Sequence, residues 1–252
     1  PPPPPPPPPP LFFHAEHSIR EQPRSRGLGD VYKRQLYKYR KVNPWLPWEV
    51  HASPHDLPGY EDELFPVART EIGNIGCAIC YDWLFPEAIR ELALGGAELL
   101  VRVSAYMDPW GATPPMDWWT VINRSRAIEN LAYVVASNQG ASLENYPPFS
   151  WPGGSMVVDY DGRILSQADP GPGEKIVVAE VDLGALRQAR RERLGHNPLA
   201  HLRGEAYTAA RGTFYPGGTF ADAASQEGDR SVEENEQAIR ETLSDNPWKT
   251  AD

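Results

Sequence analysis

The chain has 252 residues, a formal net charge of −10 at pH 7 and a hydrophobic fraction of 40%, enough apolar material for one soluble α/β domain. No run approaches the roughly 18 apolar residues of a membrane-spanning helix, no apolar stretch behind a basic start reads as a secretory signal, and the acidic balance offers no basic face to nucleic acid. Two cysteines, Cys77 and Cys80, exclude a disulfide scaffold, so the expectation is a cytoplasmic protein with neither nucleic acid nor membrane as partner.

Ten consecutive prolines, Pro1 to Pro10, read as a polyproline II rod that cannot pack a core. The LFFHAEHSIREQPRSRGLGDVYKRQ that follows holds no helical or strand period, and its RGLGDVYKRQ string resembles translated sequencing-adapter text. Residues 1–35 are therefore read as a non-native or disordered segment, with a proline-rich ligand for an aromatic groove as the alternative.

From Leu36 the chain alternates strand-like and helix-like segments, the pattern of an α/β domain. Phe65 to Ile72 and Ile75 to Tyr81 read as neighbouring strands turned at Gly73-Asn74. Pro86 opens a helix on which Phe85, Ile89, Leu92 and Ala93 recur at helical spacing until Gly95-Gly96 ends it. Leu99 to Ser104 is a strand, and Pro114-Pro115 leads into a helix expected to carry Trp118, Val121, Ile122 and Ser125 on one face. An apolar strand covers Ala132 to Ser137. Ser155 to Tyr160 and Arg163 to Gln167 form a hairpin through Asp161-Gly162, a pair that accepts positive φ readily. Lys175 to Val181 reads as a further strand and LGALRQARRER as the basic helix that closes the domain, which is set at residues 36–212. The acidic remainder, 213–252, is read as a largely flexible tail with one surface helix, opened by a Ser231/Glu234 capping box.

Cys80 is the leading candidate for chemistry. It ends an apolar strand directly before Tyr81-Asp82 and a helix, and a strand-to-helix turn lifts a side chain out of the sheet beside free backbone N–H groups. Strand parity puts Cys77 on the other face, as a core residue; a small buried hydrophobe is the bland reading for either cysteine. A redox dithiol needs CxxC at a helix start, and a zinc site would have to recruit His51 and His55 without a second CxxC, so both readings are minor. His196 and His201 fit no ligand spacing. In LYKYRKVNPWLPWE, Lys41 and Glu49 supply the fixed positive charge and the carboxylate that a thiolate attacking a carbonyl requires, against the alternative of a solvated edge strand.

These residues carry a family resemblance. GNIGCAICYDWLFPEAIRELALGGAELLV resembles the cysteine signature of the nitrilase, or carbon–nitrogen hydrolase, superfamily. YRKVNPWLPWE is similar to its lysine motif, with the eight-residue step from Lys41 to Glu49 resembling the aliphatic amidase and formamidase branch. RSRAIENLAYVVASNQ, GGSMVVDYDGRIL and IVVAEVDLGALRQARR resemble its later helix, hairpin and closing elements, so the likeness spans about residues 36–193.

The resemblance implies an α-β-β-α sandwich, here missing its N-terminal strands and helices, and hydrolysis of non-peptide C–N bonds through a Glu-Lys-Cys triad with no metal or organic cofactor. Carried over by position, Cys80 is the nucleophile, Lys41 the triad lysine and Glu49 the additional carboxylate. Tyr81 contributes its backbone N–H to the oxyanion site, and Trp45 and Tyr106 match aromatic positions around a small pocket. VSAYMDPWG departs from the amidase branch. The implied function is an amidase-like hydrolase that takes a small amide to carboxylic acid and ammonia, assembled as a homo-oligomer. The alternatives are an N-carbamoyl amino acid amidohydrolase, a nitrilase, or a catalytically silent binding or assembly module. The family's base glutamate lies well upstream of the lysine, whereas only 40 residues precede Lys41; Glu16 and Glu21 are the glutamates there, neither in family context. The chain is therefore expected to lack its base and to be inactive alone.

Overall fold

The computed structural model of the chain describes residues 35–46, 48–49, 53–54, 59–107, 111–141, 151–211 and 232–245. Residues 1–34, His51, His55, Ser231 and most of the acidic tail lie outside the described residues, and with them Glu16 and Glu21.

Strands β1 (Val67–Thr70) and β2 (Gly73–Ile79) form an antiparallel hairpin in which Thr70 faces Gly73. The reversal therefore falls on Glu71-Ile72, two residues before the expected Gly73-Asn74. Asn74 explains the difference. Its backbone N–H donates to Glu98 Oε2 at 3.0 Å and its Nδ2 to the Gly96 carbonyl at 3.1 Å, which hold it in the sheet layer. Gly73, at φ +120°, takes the bend that lets the strand begin there.

The principal sheet has the order β1-β2-β3-β4-β7-β8, with β3 at Leu99–Ser104, β4 at Tyr133–Asn138, β7 at Met156–Val158 and β8 at Ile164–Gln167. Strands β2, β3 and β4 are parallel, and the other pairs are antiparallel. A short pair, β5 (Gly140–Ala141) and β6 (Trp151–Pro152), stands beside it.

Alternation along the strands decides what each face meets. Ala78, Leu100, Val134, Ala136, Met156 and Val158 point to one side and form the main core with Ile89 and Leu92 of α1 (Pro86–Leu94) and Trp119 and Ala127 of α2 (Trp118–Asn130). On the other side Leu99 and Tyr133, at the strand starts, pack with Leu131 and with Leu186 of α3 (Leu183–Glu192), whose N-cap Asp182 accepts from the Ala185 N–H at 2.8 Å. A fourth helix, α4, covers Val232–Asp245, where the sequence placed a helix. No helix among the described residues is long and apolar enough to cross a membrane.

Two further expectations are corrected. The buried face of α2 is Trp119, Asn123, Arg126, Ala127 and Asn130, while Trp118 and Val121 are exposed. Polar side chains displace the apolar stripe because Asn123 and Arg126 serve groups that the rest of the fold buries. Residues Lys175 to Val181 form no strand ladder with the described sheet, whose outermost strands are β1 and β8.

Candidate active site

Because β2, β3 and β4 are parallel, their C-terminal ends meet at one end of the sheet, the end at which open α/β sheets bind ligands. There β2 gives way to a 3-10 turn, Cys80–Leu84, and then, past an extended Phe85, to α1 with Pro86 in its first turn. Cys80 opens the turn at φ +47°, in the left-handed region that costs a non-glycine residue about 1–2 kcal/mol. A strained backbone of this kind persists only where its surroundings fix it, and such positions cluster at functional sites.

Three side chains fix it. Asp82 is fully buried: its Oδ2 accepts from the Ile79 N–H at 3.0 Å and the Tyr39 hydroxyl at 2.8 Å, and its Oδ1 from the Asn43 N–H at 2.8 Å and Asn43 Nδ2 at 3.1 Å. Burial pushes this carboxyl above its ordinary range against the pull of those four bonds. Trp83, also fully buried, donates from Nε1 to the Ala78 carbonyl at 3.2 Å. Arg126 of α2 donates from Nε to the Trp83 carbonyl and from Nη2 to that of Leu84, both at 3.0 Å. These are the carbonyls that a short helical turn leaves without partners.

Tyr39 and Asn43 flank Lys41, so Asp82 also ties the lysine segment to the cysteine turn. The Lys41 ammonium is buried and donates to Glu49 Oε2, which accepts the Trp45 N–H at 2.5 Å as well. Glu49 and Trp45 in turn line a cavity of about 680 Å³ shared with Cys80, Tyr81 and Tyr106. Its remaining wall is largely apolar and includes Trp48, Met107, Met116, Trp118 and Trp151, with Trp48 stacked on Trp45 at 6.1 Å between centroids. Of the residues expected at the site, five therefore line one cavity, and Lys41 joins them from behind through Glu49.

Tyr106, just past β3, is positioned by Asn138 at the end of β4. Asn138 Oδ1 accepts the Tyr106 N–H at 2.7 Å, and its Nδ2 donates to the Tyr106 and Gly153 carbonyls at 3.1 and 3.0 Å. Burial pushes the Tyr106 hydroxyl up to about 12, so it is neutral at physiological pH. Beneath it, Arg102 of β3 is fully buried, with its guanidinium carbon 4.3 Å from the centroid of Trp119 and 5.4 Å from those of Trp83 and Tyr106. Burial lowers this guanidinium from its usual value, yet it stays charged at neutral pH.

The two cysteines are both free thiols, and Cys77 faces away from the α1 and α2 layer. Burial, aided by the Asp82 charge, pushes its thiol up to about 12. Among the described residues no three His, Cys, Asp or Glu side chains gather as metal ligands. Asp82, Arg126, Asn138 and Arg102 are the residues that sequence reasoning missed. Arg102 left a visible signal, a charge inside the apolar run LLVRVS at the parity of buried Leu100.

Comparison with known proteins follows the same lines. Residues 29–191 match the family described as Carbon-nitrogen hydrolase. Deaminated glutathione amidase of Rattus norvegicus is 38% identical over 160 residues, which cover 63% of this chain and 44% of that protein. Formamidase of Bradyrhizobium sp. (strain ORS 278) is 33% identical over 182 residues, or 71% and 48% of the two chains. The crystal structure of the C. elegans NitFhit protein superposes with a TM-score of 0.54 at 31% identity, covering 69% of this chain and 40% of that one. The chain thus spans about half the length of the curated relatives it matches.

Proposed function

The chain belongs to the carbon–nitrogen hydrolase family, and from that membership we propose that it is an amidohydrolase acting on a small non-peptide amide through a thioester on Cys80. The observation that carries the reading is the left-handed Cys80 at the head of its turn, facing a cavity that it shares with the carboxylate paired to Lys41. The names of two relatives, an amidase and a formamidase, favour an amide over an N-carbamoyl group or a nitrile.

In this reading the Cys80 sulfur attacks the amide carbonyl carbon, and the developing oxyanion is met by the Lys41 ammonium and the Tyr81 N–H. The C–N bond breaks, and the amine takes up a proton and leaves as ammonia. Water then adds to the thioester carbonyl, releasing carboxylic acid and the free thiol. Trp45 and Tyr106 bound the acyl group. Glu49 Oε2 is already engaged by two donors, Lys41 and the Trp45 N–H, which suits it to holding the lysine and orienting the substrate amine. Moving the protons falls to a further carboxylate that the described cavity wall does not contain. Loss of a general base costs on the order of 10²–10⁴ in rate.

The test is to incubate the chain with formamide and short aliphatic amides, measuring ammonia and the intact mass of the protein. An acyl adduct mapped to Cys80 that forms together with a stoichiometric burst of ammonia, and is absent from Cys80→Ala, supports the mechanism. Ammonia release that survives Cys80→Ala overturns it.

A further inference from the structure

Among its described wall residues, the cavity beside Cys80 holds one carboxylate, that of Glu49, and no lysine, arginine or histidine. Lys41 stands behind the wall, buried and paired with that same carboxylate. No cationic side chain on the described wall therefore meets an anionic ligand, and a second carboxylate brought into the cavity would give up water beside a like charge.

The rest of the wall is mostly hydrocarbon and aromatic rings. Trp151 donates its Nε1 to the Ala105 carbonyl at 3.0 Å, which commits the polar edge of the indole to the protein and leaves its ring to a ligand. Trp45 and Trp48 are stacked within 19° of parallel, and together they present a flat apolar surface. At the mouth, Trp48, Met116 and Trp118 are 57%, 56% and 44% exposed. Large apolar side chains scattered singly over a surface signify little, but gathered around one cavity they mark a place where an apolar group is received.

Size points the same way. The cavity volume of about 680 Å³ falls within the roughly 300–1,000 Å³ of pockets that enclose drug-sized ligands, and a formyl or acetyl group covers little of it.

We propose that the substrate is a neutral primary amide with an apolar acyl group of about phenylpropanoyl size, and that anionic acyl groups are rejected. The inference rests on the amidohydrolase reading, in which the nitrogen leaves as ammonia, so that the bulk filling the cavity belongs to the acyl side. The carboxamide lies at Cys80 and Glu49, and the acyl tail runs along the indoles and methionines toward the mouth.

The experiment measures dissociation constants of amides on Cys80→Ala by tryptophan fluorescence, and the rate of acyl adduct formation on the parent chain by intact mass. From propanamide to hexanamide, affinity and acylation should each rise about fourfold per methylene, with 3-phenylpropanamide at least as good as hexanamide. Succinamate should bind about tenfold more weakly than 4-methylpentanamide, a neutral amide of the same shape. Trp118→Glu, which adds a carboxylate at an exposed position on the mouth, should weaken 3-phenylpropanamide severalfold more than propanamide. A series that is flat or falls beyond propanamide, succinamate binding as well as its neutral counterpart, or an unchanged preference in Trp118→Glu overturns the proposal. Should Cys80→Ala fail to fold, protection of Cys80 in the parent chain against iodoacetamide, read by peptide mapping, ranks the same amides. Binding that rises along the series while no adduct forms on Cys80 overturns the amidohydrolase reading alone. Adducts that form equally fast from propanamide and hexanamide overturn the acyl preference alone.

Discussion

The chemistry of the site is set by how few side chains fix one strained residue. Asp82 accepts four hydrogen bonds from three residues, two of them in the lysine segment, so it acts as the joint between that segment and the nucleophile turn. Asp82→Ala leaves the Ile79 and Asn43 N–H groups and the Tyr39 hydroxyl without their acceptor. The expected loss is about 3 kcal/mol of stability in urea titration, and a loss below about 1 kcal/mol contradicts the role given to this carboxylate. The two cysteines, three positions apart, separate on the same scale. With its thiol pushed up to about 12 by burial, Cys77 carries almost no thiolate at pH 8. Iodoacetamide at that pH should modify Cys80 first, as read by peptide mapping, and prior labelling of Cys77 in folded protein contradicts the parity of β2.

Among the elements, α3 is held less by its single buried leucine than by two arginines. Arg190 donates to the carbonyls of Leu131, Ala97 and Asn130, and Arg187 places Nε and Nη2 at 2.5 and 3.0 Å from the two oxygens of Glu98. The Arg187 hydrogen bond, ahead of the opposing burial, holds the Glu98 carboxyl below its ordinary range. A native value below the unfolded one means that the folded state binds fewer protons. The stabilisation is therefore complete above the unfolded value and disappears as pH falls through the native one. Glu98→Gln should cost about 1 kcal/mol at pH 7, a modest figure because Arg187 is half exposed, and the gap to the parent chain should close as pH falls below the ordinary carboxylate range. A gap that widens on acidification reverses the sign of this linkage.

Strands and helices were legible where their side chains meet apolar neighbours. β3 and α1 follow directly from the apolar run at Leu99 and from the Pro86 and Gly95 punctuation. The face of α2 was not legible. Asn123, Arg126 and Asn130 are buried because Arg102, the turn carbonyls and the end of α2 itself occupy their hydrogen-bonding groups. For Asn123 and Arg126, no local period encodes partners that lie more than twenty residues away. The site divides in the same way. Cys80, Glu49, Trp45, Tyr81 and Tyr106 sit in contiguous motifs, whereas Asp82 and Asn138 work through bonds spanning 39–43 and 32 residues, which only the fold brings together.

Taken as a whole, the molecule concentrates its chemistry at one end of a parallel strand trio and the Arg187 and Arg190 clamps of α3 at the other. The nucleophile turn, the Tyr106 wall and the Asn138 brace each follow a different one of these three strands, and the lysine segment docks onto them through one carboxylate. That end also gathers an unusual share of the chain's indoles. Of eight tryptophans, four (Trp45, Trp48, Trp118 and Trp151) border the cavity, while Trp83 and Trp119 are sealed against Arg102. The protein thus carries two optical reporters in one sequence. One is a set bordering the cavity, whose emission answers to what fills it, and the other a buried pair whose emission answers to whether the Arg102 guanidinium is still in place.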